Sequence, residues 1–300
     1  MTVMIMSAIS SVLLSRLSFG ALFFPIPVLL ASYRIGRTRT AVALQAVTYS
    51  IILGWEIIPL IPYFSSQNAA VLVMSLMFKL MACVMAAVFT GLRDYTRSML
   101  RKMVISAIPV MVMGAAFVIW FTSARAQASV EILVETYEAV IPADFLRISA
   151  NDFARIIVSV VQYGVVAVGM ICGGLPIMFA EMSANRFNTV WQEEFAMMKM
   201  PEKYVWLFIG FWALFGLSAV AKLPVALGAV SFNFAMAMSM HYMLNGLSVL
   251  LALIRNRLPA FSAGTLIYLF FFASLIVGLD MVMWGVLIIT GVLETWIRFR

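Results

Sequence analysis

Four ionisable side chains stand inside or beside long apolar runs: Glu56, Lys79, Lys222 and Asp280. Charge is costly in hydrocarbon, so such residues point to pairing, to a polar cavity, or to a path for a solute or ion. Glu56 lies roughly 10 Å from one end of the apolar run 39–63, and Lys79 about 15 Å into the run 69–92, at 1.5 Å per helical residue. The two runs are joined by a short connection, and a lysine side chain is long enough to cover the difference. Two arrangements follow. Glu56, Lys79 and Asp280 line an outward-facing polar pocket that holds a charged or zwitterionic solute. Alternatively, Glu56 pairs with Lys79 for structural reasons while Asp280 and Lys222 reach water at the membrane surface.

A second set of polar residues, Asn233, His241 and Asn245, recurs within the run 224–254 at offsets that place all three on roughly one helical face, toward its inner side. These residues either hydrogen-bond to neighbouring helices or line a solute or proton path. His241 is the only histidine in the chain, and no Ser–His–Asp or Cys–His arrangement is suggested around it. There is no phosphate-binding glycine loop, no HExxH and no CxxC. Cys83 and Cys172 read as buried free thiols. The 23 methionines are scattered through the apolar runs and read as adaptable packing. The expectation is therefore a protein without catalytic residues, metal site or cofactor. A lipid-modifying enzyme would require Glu56, His241 and Asp280 to converge.

The elements that position these residues follow from composition. Of 300 residues, 64% are hydrophobic and 11% charged, with a mean hydropathy of +1.04. So few polar groups cannot cover the exterior of a soluble domain of this size. The composition specifies an all-α, polytopic integral membrane protein and excludes a nucleic-acid binder or a disulfide-stapled secreted domain. The apolar runs are 3–18, 20–33, 39–63, 69–92, 103–122, 154–182, 203–221, 224–254 and 262–296. Pro25 and Pro27 restrict the second of these. The last is too long for one crossing and breaks near Gly278, Leu279 and Asp280. About eight transmembrane helices are expected, with broken or re-entrant segments at both ends of a single domain, 1–300.

Basic residues set the orientation. Placing Arg34, Arg37 and Arg39 in the cytoplasm puts fourteen of the 20 Lys and Arg on the inner side by alternation. Arg93, Arg97, Arg101 and Lys102 fall there, as do Lys199, Lys203 and Arg300. Residues 1–15 lack a basic region before them and a small-residue cleavage site after them, so the first helix is expected to stay in the mature chain.

Two connections are long enough to carry structure. Residues 123–153, on the outside, place Val130, Leu133, Val134, Tyr137 and Val140 at helical spacing opposite Glu131, Glu135 and Glu138. This is an amphipathic interfacial helix, either a lid over a pocket or a plain connector. Ser149 and Asp152 then have the spacing of a capping box. Residues 183–203, on the inside, carry Trp191, Glu193, Glu194 and Phe195. They form either a docking surface for a membrane or cytoplasmic protein partner or a solvated helix with aromatics at the headgroups.

Three stretches carry a family resemblance: Phe24-Pro25-Ile26-Pro27 leading to Tyr33-Arg34-Ile35-Gly36-Arg37; His241-Tyr242-Met243-Leu244-Asn245-Gly246; and Gly291-Val292-Leu293-Glu294-Thr295-Trp296. Together they resemble the YybS-like family of bacterial multi-pass membrane proteins, whose function is unknown. Glu294 stands where that family more often has Asp, and Asn245 where it has Gln. The resemblance implies residence in the bacterial cytoplasmic (inner) membrane. The N-terminal pattern of a helix, a proline-containing short helix, a glycine turn and another helix is also similar to the start of the substrate-binding subunits of energy-coupling-factor vitamin transporters. That likeness implies a transporter-like subunit with a small solute near the outer face and a cytoplasmic partner that hydrolyses ATP. The other function considered is a membrane scaffold of the cell envelope that recruits a partner through 183–203.

Overall fold

In the computed structural model, all regular structure among the described residues is helical. The backbone is described for 2–16, 23–58, 61, 69–96, 98–124, 131, 134–135, 149–185, 188–258, 261–273, 279–297 and 299–300. Within these, the side chains of 69–75, 123–124, 150, 267, 271–272 and 279–281 are outside the description. The helices are α1 (Thr2–Leu14), α2 (Pro25–Ile35), α3 (Thr38–Ile57), α4 (Ala69–Gly91), α5 (Met99–Ala124), α6 (Ala150–Asn185), α7 (Thr189–Ala196), α8 (Lys203–Val220), α9 (Val225–Arg255), α10 (Ala263–Ala273) and α11 (Leu279–Leu293).

Six of these, α3, α4, α5, α6, α8 and α9, are long and apolar enough among the described residues to cross a membrane. The expected count of about eight is not confirmed. Among the described residues, the apolar runs at the two ends of the chain carry shorter helices, α1, α2, α10 and α11, of 11 to 15 residues each. At 1.5 Å per residue such helices reach roughly 16–22 Å, short of a hydrocarbon core of about 30 Å. The amphipathic helix expected around 130–141 falls largely outside the described residues. The capping box at the start of α6 is formed: the Asp152 amide donates to Ser149 Oγ at 3.1 Å, and the hydroxyl donates to the Asp152 carboxylate at 2.6 Å.

Local chemistry explains the element boundaries. Pro25 occupies the first turn of α2, where its missing N–H costs nothing. Gly36 ends α2 at φ 71°, a left-handed conformation that lets α3 begin two residues later. Lys222 closes α8 in the same region at φ 52°, and the Leu223 amide reaches back to the Ser218 carbonyl at 3.1 Å.

Helix α9 is the axle of the bundle. It is 78% buried over its apolar window, whereas α8 is 11% buried and turns Trp206, Leu207 and Val220 outward. The sequence of α9 explains this place. In lipid no hydrophobic force drives helices together, so close approach depends on small residues and interhelical hydrogen bonds. Gly228, Ala229, Ala235, Ala237 and Gly246 supply the first, and Asn233, Asn245 and Ser248 the second. The α9–α11 crossing is tightest: a Cβ on Gly246 would overlap the Leu287 carbonyl, and one on Gly291 the Tyr242 carbonyl. Gly169 and Gly173 of α6 take Met81 and Met85 of α4 in the same way.

Candidate functional site

The ionisable residues separate into two clusters at opposite ends of the antiparallel α3–α4 pair. At one end Lys79 Nζ lies 2.7 Å from Glu56 Oε1. Arg16 approaches the same carboxylate at 3.6 Å and stacks 5.2 Å over the Trp55 ring. Lys79 also donates to the Ser15 carbonyl at 3.4 Å. These side chains are partly accessible, 20% for Lys79 and 24% for Glu56. Asp280 belongs to α11, and its side chain is outside the described residues. Lys222 is exposed in the α8–α9 turn.

At the other end, Lys102 of α5 meets Glu181 of α6 at 2.5 Å, both side chains sealed from solvent. The pair is held on every side. Asn185 donates to Glu181 Oε2 at 2.9 Å, Tyr33 lies against the same carboxylate, and the Lys102 ammonium sits 4.6 Å over the Phe89 ring. Arg93 donates nearby to the Ser32 carbonyl at 2.9 Å. Sequence reasoning placed Lys102 in the cytoplasmic layer and missed Glu181 as a buried charge, because Glu181 ends its apolar run. The available signal was the spacing of Glu181, Asn185 and Arg186 at the close of that run.

Between the clusters, α3 and α4 are joined by further polar contacts. Gln45 Nε2 donates to Thr90 Oγ1 at 2.7 Å and to Ser32 Oγ at 3.0 Å; Thr38 donates to Asp94 at 2.6 Å.

The three polar residues of α9 reach three different places. The Asn233 carboxamide lies against the backbone of α6. Its Oδ1 accepts from the Val166 amide at 2.9 Å, and its Nδ2 donates to the Gln162 carbonyl at 2.8 Å. Those are the two groups that a regular helix would bond to each other. Asn245 accepts from the Met200 amide at 3.3 Å and donates to the Gly291 carbonyl at 2.8 Å, tying the 197–202 connection and α11 to α9. His241 lies between them, with Nδ1 2.8 Å from the Ala237 carbonyl. A carbonyl only accepts, so Nδ1 carries the proton and Nε2 is left as an acceptor.

His241 borders a cavity of about 240 Å³ among α4, α5, α6, α9, α10 and α11. Its walls are almost entirely apolar. Met85, Met103, Met170, Met178, Met240 and Met243 all face it, with Phe270 and Leu244. The wall from α6 is short in side chain at Gly174, two residues before Pro176, whose missing N–H leaves a gap in that helix's ladder. Two polar atoms of cavity-lining residues have no hydrogen-bond partner: His241 Nε2 and Trp284 Nε1. Sequence reading dispersed the methionines as general packing, whereas four helices bring six of them to one cavity.

Residues 183–203 fold back on the bundle. Asn188 caps α7 by accepting from the Trp191 amide at 3.1 Å, and Trp191 stacks on Phe195 at 5.6 Å. Phe195, Met198 and Met200 are buried, while Val190 and Met197 stay exposed. Arg300 pins this segment: it donates to the carbonyls of Ala196 and Met198 and to Ser248 Oγ, and pairs with Glu294 at 3.1 Å. Glu294 is buried and Arg300 partly buried, a pairing that the sequence reading did not anticipate.

No three His, Cys, Asp or Glu side chains gather among the described residues in a way that could hold a metal ion. Glu56 is engaged with Lys79 midway along α4 and His241 borders the central cavity, so these two members of the enzyme constellation do not meet. No protein-family model, curated protein or solved structure matches the chain significantly.

Proposed function

We propose that this chain is a non-enzymatic, transporter-like membrane protein that holds a small, largely apolar molecule in the cavity bordered by His241 and Trp284. One observation carries the reading. A cavity of about 240 Å³ with apolar walls lies among six helices, lined by six methionines and by His241 and Trp284, the two polar-ringed side chains at its border. Apolar clefts with a few convergent polar groups are the usual form of small-molecule sites. The alternative location, among Glu56, Lys79 and Asp280, has less support, because Glu56 and Lys79 already neutralise each other at 2.7 Å. The YybS-like resemblance and the distribution of basic residues support the bacterial cytoplasmic membrane as its location, with the Lys102 end inward.

A second reading is kept on a specific observation. Val190 and Met197 remain exposed beside Glu193, Glu194 and Lys199, a surface suited to a protein partner that the chain would recruit as a scaffold or depend on for energy. Mass spectrometry of the protein purified in mild detergent with its chromosomal neighbours separates the two. A co-purifying small molecule, absent from the cavity-filling variant Gly174→Leu, is the result expected for the binding protein. A stable protein partner with no small molecule, lost on substitution of Val190 and Met197, overturns it in favour of the scaffold. Gly174 suits this test because a Cβ there meets only the flexible ends of Met103 and Met85, at 3.4 and 3.7 Å.

A further inference from the structure

An open groove of about 380 Å³ runs between α1 and α2. Val3, Met6 and Ser10 line it from α1, and Pro27, Leu30 and Arg34 from α2. Ser15, just past α1, lies by Lys79, whereas Ser32, near the close of α2, accepts from Arg93. The two helices are therefore antiparallel, and Thr2 and Arg34 share one mouth of the groove. The walls beyond that mouth offer little polarity. The Ser7 hydroxyl turns back on its own helix, donating to the Val3 carbonyl at 2.7 Å. Ile5, Met6, Ile9 and Leu13 are exposed along the outward side of α1, where acyl chains are as apolar as they are. The groove spans Thr2 to Ser10 on one helix and Pro27 to Arg34 on the other, roughly 10–12 Å of helix. One leaflet of the hydrocarbon core is about 15 Å deep. The groove thus starts at a cation by the membrane surface and ends within the same leaflet.

Arg34 is the one charged side chain on the groove walls. It is exposed and makes no ion pair among the described residues, and the same holds for Arg37 and Arg39 beside it. Asp94 and Glu181, carboxylates at this end of the bundle, already accept from Thr38 and Lys102. We propose that the groove binds an anionic phospholipid of the cytoplasmic leaflet, with its phosphate on the Arg34 guanidinium and part of one acyl chain along Met6, Leu30 and Pro27. A guanidinium matches phosphate through two parallel N–H···O bonds. Basic pockets between helices on the cytoplasmic side are the usual form of sites for anionic headgroups. A free phosphate has no use for the apolar length of the groove, and an uncharged lipid has none for the cation. The site is separate from the central cavity, to which neither α1 nor α2 contributes a wall.

The test titrates the delipidated full chain in detergent with phosphatidylglycerol or phosphatidylcholine carrying identical acyl chains, and counts bound lipid by native mass spectrometry. Phosphatidylglycerol should bind about fivefold more tightly, the scale of one basic residue at an anionic lipid surface. Arg34→Gln should remove that preference. Arg37→Gln, which neutralises a neighbouring exposed cation outside the groove, should keep it. Ser10→Phe and Met6→Trp fill the groove with Arg34 in place and should lower phosphatidylglycerol binding, with thermal unfolding confirming that each variant is folded. Equal binding of the two lipids to the unsubstituted protein overturns the assignment. Equal losses in Arg34→Gln and Arg37→Gln also overturn it, because they trace the preference to diffuse surface charge. Phosphatidylglycerol binding unchanged in both filling variants does the same. A dimer of the chain that gives way to monomer in the filling variants overturns it as well and assigns the groove to a second copy.

Discussion

Two ion pairs, each of one lysine and one glutamate, sit at opposite ends of the bundle in different surroundings. Lys79 and Glu56 are partly open, share their charge with Arg16, and join two helices adjacent in the chain. Lys102 and Glu181 are sealed, 79 residues apart, and buttressed by Asn185, Tyr33 and the Phe89 ring. The difference separates two roles for charge. An open pair can exchange partners with solvent at little cost, so it tolerates change. A sealed pair is weak evidence of stabilisation as a whole, yet removal of one partner leaves an uncompensated buried charge. The sealed pair therefore acts as a register lock between α5 and α6, the helices that contribute Met103, Met170 and Met178 to the cavity wall.

The largest expected effect follows from breaking that lock. Glu181→Ala should destabilise the protein by about 3–5 kcal/mol, read by thermal unfolding in detergent, whereas Lys102→Met with Glu181→Leu should recover most of the loss. A double variant as unstable as the single one would show that the pair contributes net stability. Next, Gly291→Ala forces a Cβ onto the Tyr242 carbonyl and should separate α9 from α11 at a cost of about 1–3 kcal/mol, the range for overpacking a tight contact. Asn233→Ala should cost about 1–3 kcal/mol, because it removes the buried hydrogen bonds that tie α9 to the α6 backbone. Glu56→Gln, at the open end, should cost about 1 kcal/mol or less, and added salt should shrink the difference. Equal losses for Glu56→Gln and Glu181→Ala would erase the distinction between the two ends.

The sequence carried much of this arrangement and concealed the rest for physical reasons. Hydropathy located all six long helices, and the depths of Glu56 and Lys79 made their pairing one of two readable options. Counting apolar runs gave about eight crossings; six helices are long and apolar enough among the described residues, and α1, α2, α10 and α11 are shorter there. Glu181 drew no reading from the sequence, where it lies near the close of the apolar run 154–182; its partners come from α2 and α5, a long-range event without local periodicity. The same holds for the six methionines at the cavity, which come from four different helices. Arg300 entered the sequence reading only as an inner-side basic residue, yet it returns to bond the carbonyls of Ala196 and Met198.

The central claim is that the ligand occupies the apolar cavity and not the open ion pair. Native mass spectrometry of three purified proteins tests it most directly: the unsubstituted chain, Gly174→Leu, and Glu56→Gln with Lys79→Met. The account predicts a bound small molecule in the first and third and none in the second. Retention in Gly174→Leu together with loss in the Glu56→Gln, Lys79→Met protein would contradict it and return the site to the charged end of the bundle.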